Sequence, residues 1–104
     1  MQRGEIWWAN LPKPIGYRPV LILSRNESIQ VRGSSIVSQL TTTMRHIPAE
    51  VHLKKSEGLP KDCVVNLDVI ETVPKKSLDK KITSLNYDKL RAVEKALKFA
   101  LDLS

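Results

Sequence analysis

Gly16-Tyr17-Arg18-Pro19-Val20-Leu21-Ile22-Leu23-Ser24 decides how this chain folds. The run Val20 to Leu23 is apolar without alternation, so both of its faces demand burial, and a strand from Pro19 to Ser24 belongs in the middle of a sheet. Pro19 sets its own φ and drives Arg18 towards extended backbone. Gly16 lets the preceding loop, Lys13-Pro14-Ile15-Gly16-Tyr17, bend freely. Arg18 is thereby held at the mouth of a buried strand. Its guanidinium is permanently charged and carries five donors, which suits it to gripping a phosphate; an ordinary surface arginine ending a turn fits the same residues.

Working outward, Glu5 to Leu11 reads as a strand bounded by Gly4 and Pro12. Trp7 and Trp8 face opposite sides of it, so one belongs to the core while the other packs, meets a second copy or stacks on a base. Arg25 to Ser34 is a polar connection with room for a short helical turn. Ser35 to Leu40 forms the third strand, with Thr41-Thr42-Thr43 at its end. Ala49 to Leu53 alternates, with Ala49, Val51 and Leu53 on one face and Glu50 and His52 on the other. Gly58 and Pro60 mark a turn. Cys63 to Leu67 gives a fifth strand with Cys63, Val65 and Leu67 on one face, and Val69 to Val73 continues it as far as Pro74. Lys81 to Ser84 is a last short strand.

The end of the chain changes period. Asn86 is a good helix N-cap, with Asp88 in the first turn where the dipole favours a negative charge. Leu90, Val93, Leu97, Ala100 and Leu101 recur at helical spacing, and Glu94 with Lys98 makes a favourable pair one turn apart. The expected architecture is one α+β domain over residues 1–104, mainly β. It is a small barrel of short strands with the C-terminal helix packed on the sheet.

The chain has 104 residues, and 17 Lys plus Arg against 11 Asp plus Glu leave a formal charge of +6. A small basic domain favours nucleic acid, an anionic surface or an acidic protein partner. No apolar stretch approaches a membrane span, so no membrane partner is expected. Met1 to Glu5 leads straight into a strand with no signal-like apolar region, and the single cysteine, Cys63, rules out an internal disulfide or a cysteine-rich metal site. A cytoplasmic setting is expected. Two histidines without an acidic cluster make zinc or magnesium an unfavourable reading, and no cofactor is expected. Cys63 reads as a buried strand residue, not a nucleophile.

Several segments, taken in order, carry a resemblance. They are Arg3-Gly4-Glu5-Ile6-Trp7-Trp8, then Gly16 to Ser24, Ile36-Val37-Ser38-Gln39-Leu40-Thr41, Pro48-Ala49-Glu50-Val51, the valine-rich strand ending at Asp68, and Ile82-Thr83-Ser84-Leu85 leading into a helix. Together they resemble the MazF/PemK family of toxin–antitoxin ribonucleases over nearly the whole chain. The resemblance implies an SH3-like barrel, a homodimer formed through the sheet, and metal-independent cleavage of single-stranded RNA at short sequences. It also implies a cognate antitoxin whose acidic, disordered tail covers the RNA groove. The family's catalytic arginine corresponds to Arg18 and its catalytic threonine to Thr41, with Thr42 the alternative if the register slips by one.

Lys13 stands where some members have an acidic residue, in a loop that helps line the family's RNA groove, so no carboxylate role carries over. Tyr17, beside Arg18, either stacks on a base or packs. His46 follows the threonines and is placed to approach RNA, while His52 shares the polar face with Glu50 and reads as solvated. The lysine pairs 54–55, 75–76 and 80–81 are solvated turns that also steer RNA or an acidic tail.

RNA carries its own nucleophile, the ribose 2′-hydroxyl, so an enzyme needs only to align it and stabilise a doubly charged transition state. Arg18 offers two hydrogen bonds to the phosphate oxygens and Thr41 a hydroxyl. Two other readings stay open. One is a protein-binding toxin on the same scaffold, like the gyrase-poisoning relatives; the other is a basic RNA- or DNA-binding module without catalysis. A protein binder has no need of a phosphate clamp, so Arg18 with Thr41 favours the nuclease.

Overall fold

Val20 and Ile22 point into one apolar core and Leu21 and Leu23 into another, as a strand apolar on both faces requires. The computed structural model describes residues 1–104. The chain runs β1 (Glu5–Asn10), β2 (Tyr17–Ile22), α1 (Asn26–Val31), β3 (Ser34–Thr41), β4 (Glu50–Leu53), β5 (Cys63–Asn66), β6 (Glu71–Pro74), β7 (Leu78–Ser84) and α2 (Tyr87–Ala100). All the pairings are antiparallel, in the order β4-β5-β3-β2-β1-β7, with β6 also bound to β3. The result is the expected mainly-β, barrel-like α+β fold. The first core lies under α2, which contributes Val93 and Ala96; the second gathers Ala9, Leu11, Ile29, Val37, Val73 and Leu78, with Trp7 against it. No helix is long and apolar enough to cross a membrane.

Three expectations need correction. The segment from Cys63 to Pro74 is two strands, not one. β5 pairs with the end of β3 (Leu40 to Val65, Thr41 to Val64), and β6 pairs with its beginning (Ser34 to Pro74, Val37 to Glu71). The buried Ser38 hydroxyl holds the bend between them, within 3.0 Å of the Asn66 carbonyl and 2.8 Å of the Val69 carbonyl. The last strand begins at Leu78 rather than Lys81, because Leu78 reaches the second core while Asp79, Lys80 and Lys81 stay outside and mask the pattern. Glu94 does not pair with Lys98. Its Oε2 takes the Arg3 guanidinium at 2.8 Å, tying the helix to the start of the chain, and Arg91 lies 3.6 Å from its other oxygen.

Asn86 caps α2 as its residue type requires, its side-chain oxygen accepting the Lys89 N–H at 2.8 Å. Replacing it with Ala strands that N–H and lowers stability by about 1 kcal/mol, read by thermal or urea melting.

Candidate active site

β2 and β3 separate at one end, and the gap is a pocket of about 270 Å³. Their register pairs Val20 with Gln39, Leu21 with Ser38 and Ile22 with Val37. Continued past its last pair, it sets Pro19 towards Leu40 and Arg18 towards Thr41. At that point β3 turns to β5 instead, with Leu40 opposite Val65 and Thr41 opposite Val64. The pocket is lined by Trp8, Tyr17, Arg18, Pro19, Leu40, Thr41, Thr42, Leu59, Pro60, Lys61 and Cys63. Leu40, Leu59 and Cys63 belong to the first core and make an apolar floor. Arg18, Thr41, Thr42 and Lys61 bring the polar groups, and no Asp or Glu is among the lining residues. A site of this charge attracts an anion.

Arg18 is exposed and makes no ion pair. Its single hydrogen bond runs from Nε to the Ile15 carbonyl at 3.4 Å, so the loop steadies the stem and the terminal nitrogens have no protein partner. Thr41 Oγ1 accepts the Thr43 N–H at 3.2 Å, which orients the hydroxyl and leaves its proton to donate. Tyr17 lies flat on Trp8, ring centroids 4.9 Å apart and planes 6° from parallel. Its hydroxyl donates to Asp79 Oδ2 at 2.5 Å. That bond, more than the accompanying loss of water, raises the phenol above its ordinary pKa. Burial likewise raises the Cys63 thiol, leaving it a protonated part of the floor, as its strand position suggested.

Thus the structure brings Arg18, Thr41, Tyr17 and Thr42 together in one pocket and leaves Lys13 and His46 out of its lining. Lys13 is exposed on the loop joining β1 to β2. His46 stacks on His52, centroids 5.7 Å apart. Its backbone has φ +54, held there by Glu50. Glu50 itself departs from the expected solvated polar face. It is buried, and its carboxylate accepts the N–H groups of Arg45 and His46 at 2.8–3.0 Å, fixing the loop after Thr43. Among the polar and aromatic lining residues, Trp8 and Lys61 were not singled out by the sequence. Trp8 was one of a pair whose faces alternation could not rank, and Lys61 is a lone lysine after a turn with no motif around it. A second hollow, between β4 and α2, holds His52, Lys89, Lys95 and Phe99 but none of the expected site residues. Nowhere do three His, Cys, Asp or Glu side chains gather as a metal site would need.

Three carboxylates have a lowered pKa relative to the ordinary 4.5. For Glu50 and Glu5, burial raises the value, but hydrogen bonds outweigh it: backbone N–H groups of Arg45, His46 and Ile47 for the first, and Trp7, Gln2 and Lys81 for the second. For Glu94 the bond from Arg3 dominates. A depressed folded-state pKa stabilises the fold above the unfolded value, and that contribution is lost as pH falls through the folded value. The melting temperature should therefore decline as pH drops from about 4.5 downward, and Glu50→Gln should shallow that decline.

Comparison with known proteins gives the family. Residues 2–101 match the family model for the PemK-like, MazF-like toxin of type II toxin–antitoxin systems. The probable endoribonuclease MazF5 of Mycobacterium tuberculosis is 38% identical over 103 residues, spanning 98% of this chain and 94% of that protein. A mycobacterial endoribonuclease solved in complex with its cognate antitoxin superposes with a TM-score of 0.90 at 30% identity, covering 100% of this chain and 97% of that one. The Mycobacterium tuberculosis toxin MazF-mt6 superposes with a TM-score of 0.87 at 32% identity, covering 96% and 98%. By the length and strength of these matches, the chain belongs to the PemK-like, MazF-like family of toxins of type II toxin–antitoxin systems.

Proposed function

We propose that this toxin is an endoribonuclease that cuts single-stranded RNA at short sequences without a metal ion. One observation carries the reading: Arg18 and Thr41, far apart in the chain, line the same cation-rimmed pocket. The scissile phosphate sits against both. The 2′-oxygen attacks phosphorus in line, the bond to the 5′-oxygen breaks, and the products are a 2′,3′-cyclic phosphate and a 5′-hydroxyl. The attacking oxygen gives up a proton and the departing one takes one up, so the step balances without a cofactor. Arg18 holds the charge that builds on the non-bridging oxygens, since a guanidinium is a permanent cation with paired donors. Thr41 donates its free hydroxyl to the same phosphate. Thr42 and Tyr17 contact the flanking nucleotides, and Lys13 adds charge along the RNA path.

The antitoxin is the other partner. Its acidic, disordered tail covers this same pocket, drawn by Arg18 and Lys61 and by a chain carrying +6 overall. The toxin acts as a homodimer. Ile36, exposed on β3, and Val69 and Ile70, exposed just before β6, supply apolar surface for a second copy.

Incubation of the purified protein with end-labelled RNA in EDTA tests the reading. Discrete cuts are expected, with cyclic-phosphate 3′ ends and 5′ ends that accept phosphate from a kinase directly. RNA bound but left intact would replace the nuclease with a binding module, and gyrase-dependent DNA breaks with intact RNA would replace it with a gyrase poison.

A further inference from the structure

Tyr17 is 46% exposed, yet its ring is not free to move. Trp8 covers one face in a nearly parallel stack, and Asp79 holds the hydroxyl from β7. What remains open is the other face of the ring. An exposed tyrosine ordinarily loses rotamer freedom when it captures a ligand. Here the Trp8 stack and the Asp79 bond have already fixed the ring, on three different strands, and the adjacent residue is Arg18. A flat, pre-ordered aromatic face next to a phosphate-binding cation matches a single nucleotide, with its base on the ring and its phosphate on the guanidinium.

We propose that Trp8, Tyr17 and Asp79 form a ledge on which one nucleobase stacks, fixing which nucleotide stands beside the phosphate held by Arg18. The inference rests on the RNA-cleaving reading and adds a specificity determinant to it. Tyr17 makes the contact, with Trp8 backing it. Asp79 is a positioning residue, acting through the phenol. The stack is made equally in the bound substrate and in the transition state, so the ledge governs KM and the choice of cut site, whereas Arg18 governs kcat.

The test uses RNA spanning the mapped cut, with a 2′-deoxy sugar at the attacking position so that it binds without reacting. Each flanking base is replaced in turn by an abasic site, and binding is read by fluorescence anisotropy. In the wild-type protein one abasic position should weaken binding roughly 5- to 100-fold. In Tyr17→Leu the same RNA should lose nothing further, because the ledge is already gone. Asp79→Ala and Tyr17→Phe, which both cut the anchor, should weaken the intact RNA to a smaller and similar extent. Asp79→Asn should restore binding, since its amide oxygen still accepts the phenol proton. With cleavable RNA, Tyr17→Leu should raise KM and leave kcat within a few-fold. An abasic penalty identical at every position in wild type and Tyr17→Leu overturns the ledge while leaving Arg18-dependent cleavage intact. Intact cleavable RNA with the position-specific penalty still present instead overturns the nuclease reading and keeps the ledge.

Discussion

Arg18→Ala lowers the rate of RNA cleavage by about 100- to 1,000-fold, the usual effect of removing one preorganised donor from a transition-state oxyanion. The melting temperature should stay where it is. The side chain is exposed, forms no ion pair, and holds one hydrogen bond, from Nε to the Ile15 carbonyl. On the proposed mechanism the loss falls on kcat, because the charge that Arg18 would balance grows as the 2′-oxygen attacks. Arg18→Lys separates charge from shape. Lysine keeps the cation but lacks the planar fork that meets two phosphate oxygens at once, so it should recover only part of the rate. Thr41→Val keeps the β-branch and removes the hydroxyl, together with the acceptor for the Thr43 N–H. It should cost less than Arg18→Ala, since a neutral donor stabilises an oxyanion less than a charged one does. Single-turnover cleavage of one defined RNA ranks all three variants. Near-normal cleavage by Arg18→Ala removes the guanidinium from the chemistry.

Local chemistry made part of this molecule legible and tertiary pairing hid the rest. β2 could be read because four successive apolar side chains leave no face for water, and α2 because its stripe recurs at helical spacing with Asn86 at its head. The division of Cys63 to Pro74 into two strands could not, because nothing in that segment says that one half binds the end of β3 and the other its beginning. The buried Ser38 hydroxyl that holds the bend comes from a different strand. Glu50 misled for a similar reason. Alternation assigns it to water, and only the fold brings the N–H groups of the preceding loop onto its carboxylate. In the pocket, the family's motifs make Arg18 and Thr41 the candidates, and the β2–β3 register, continued past its last pair, sets the two positions towards each other. Lys61 and Asp79 carry no motif, and the motif that holds Trp8 does not say which way its ring faces; each matters through what a distant strand sets beside it.

Gly58→Ala should destabilise the fold by about 2–4 kcal/mol, of which the backbone contributes about 1–2 because an L-residue is forced into the left-handed region, and crowding supplies the rest. Gly58 has φ +97 and closes the 3₁₀ turn Lys55–Glu57. A methyl group added there would lie 2.8 Å from Thr83 Oγ1 and 3.1 Å from Thr83 Cβ. Thr83 cannot simply retreat: it pairs with Ile6 across β1 and β7, and its hydroxyl donates to the Glu57 carbonyl at 3.2 Å. The strain therefore passes either into the sheet or into Leu59, Pro60 and Lys61, which follow Gly58 and line the pocket. In a domain of this size a loss of that magnitude lowers the melting temperature by more than about 8 °C. Thr83→Ala in the same molecule separates the two causes. It removes the crowded oxygen and leaves the backbone strain, so the double variant should regain about half of what Gly58→Ala loses relative to Thr83→Ala alone. Strictly additive losses would mean that Thr83 plays no part and that the turn's backbone alone demands glycine.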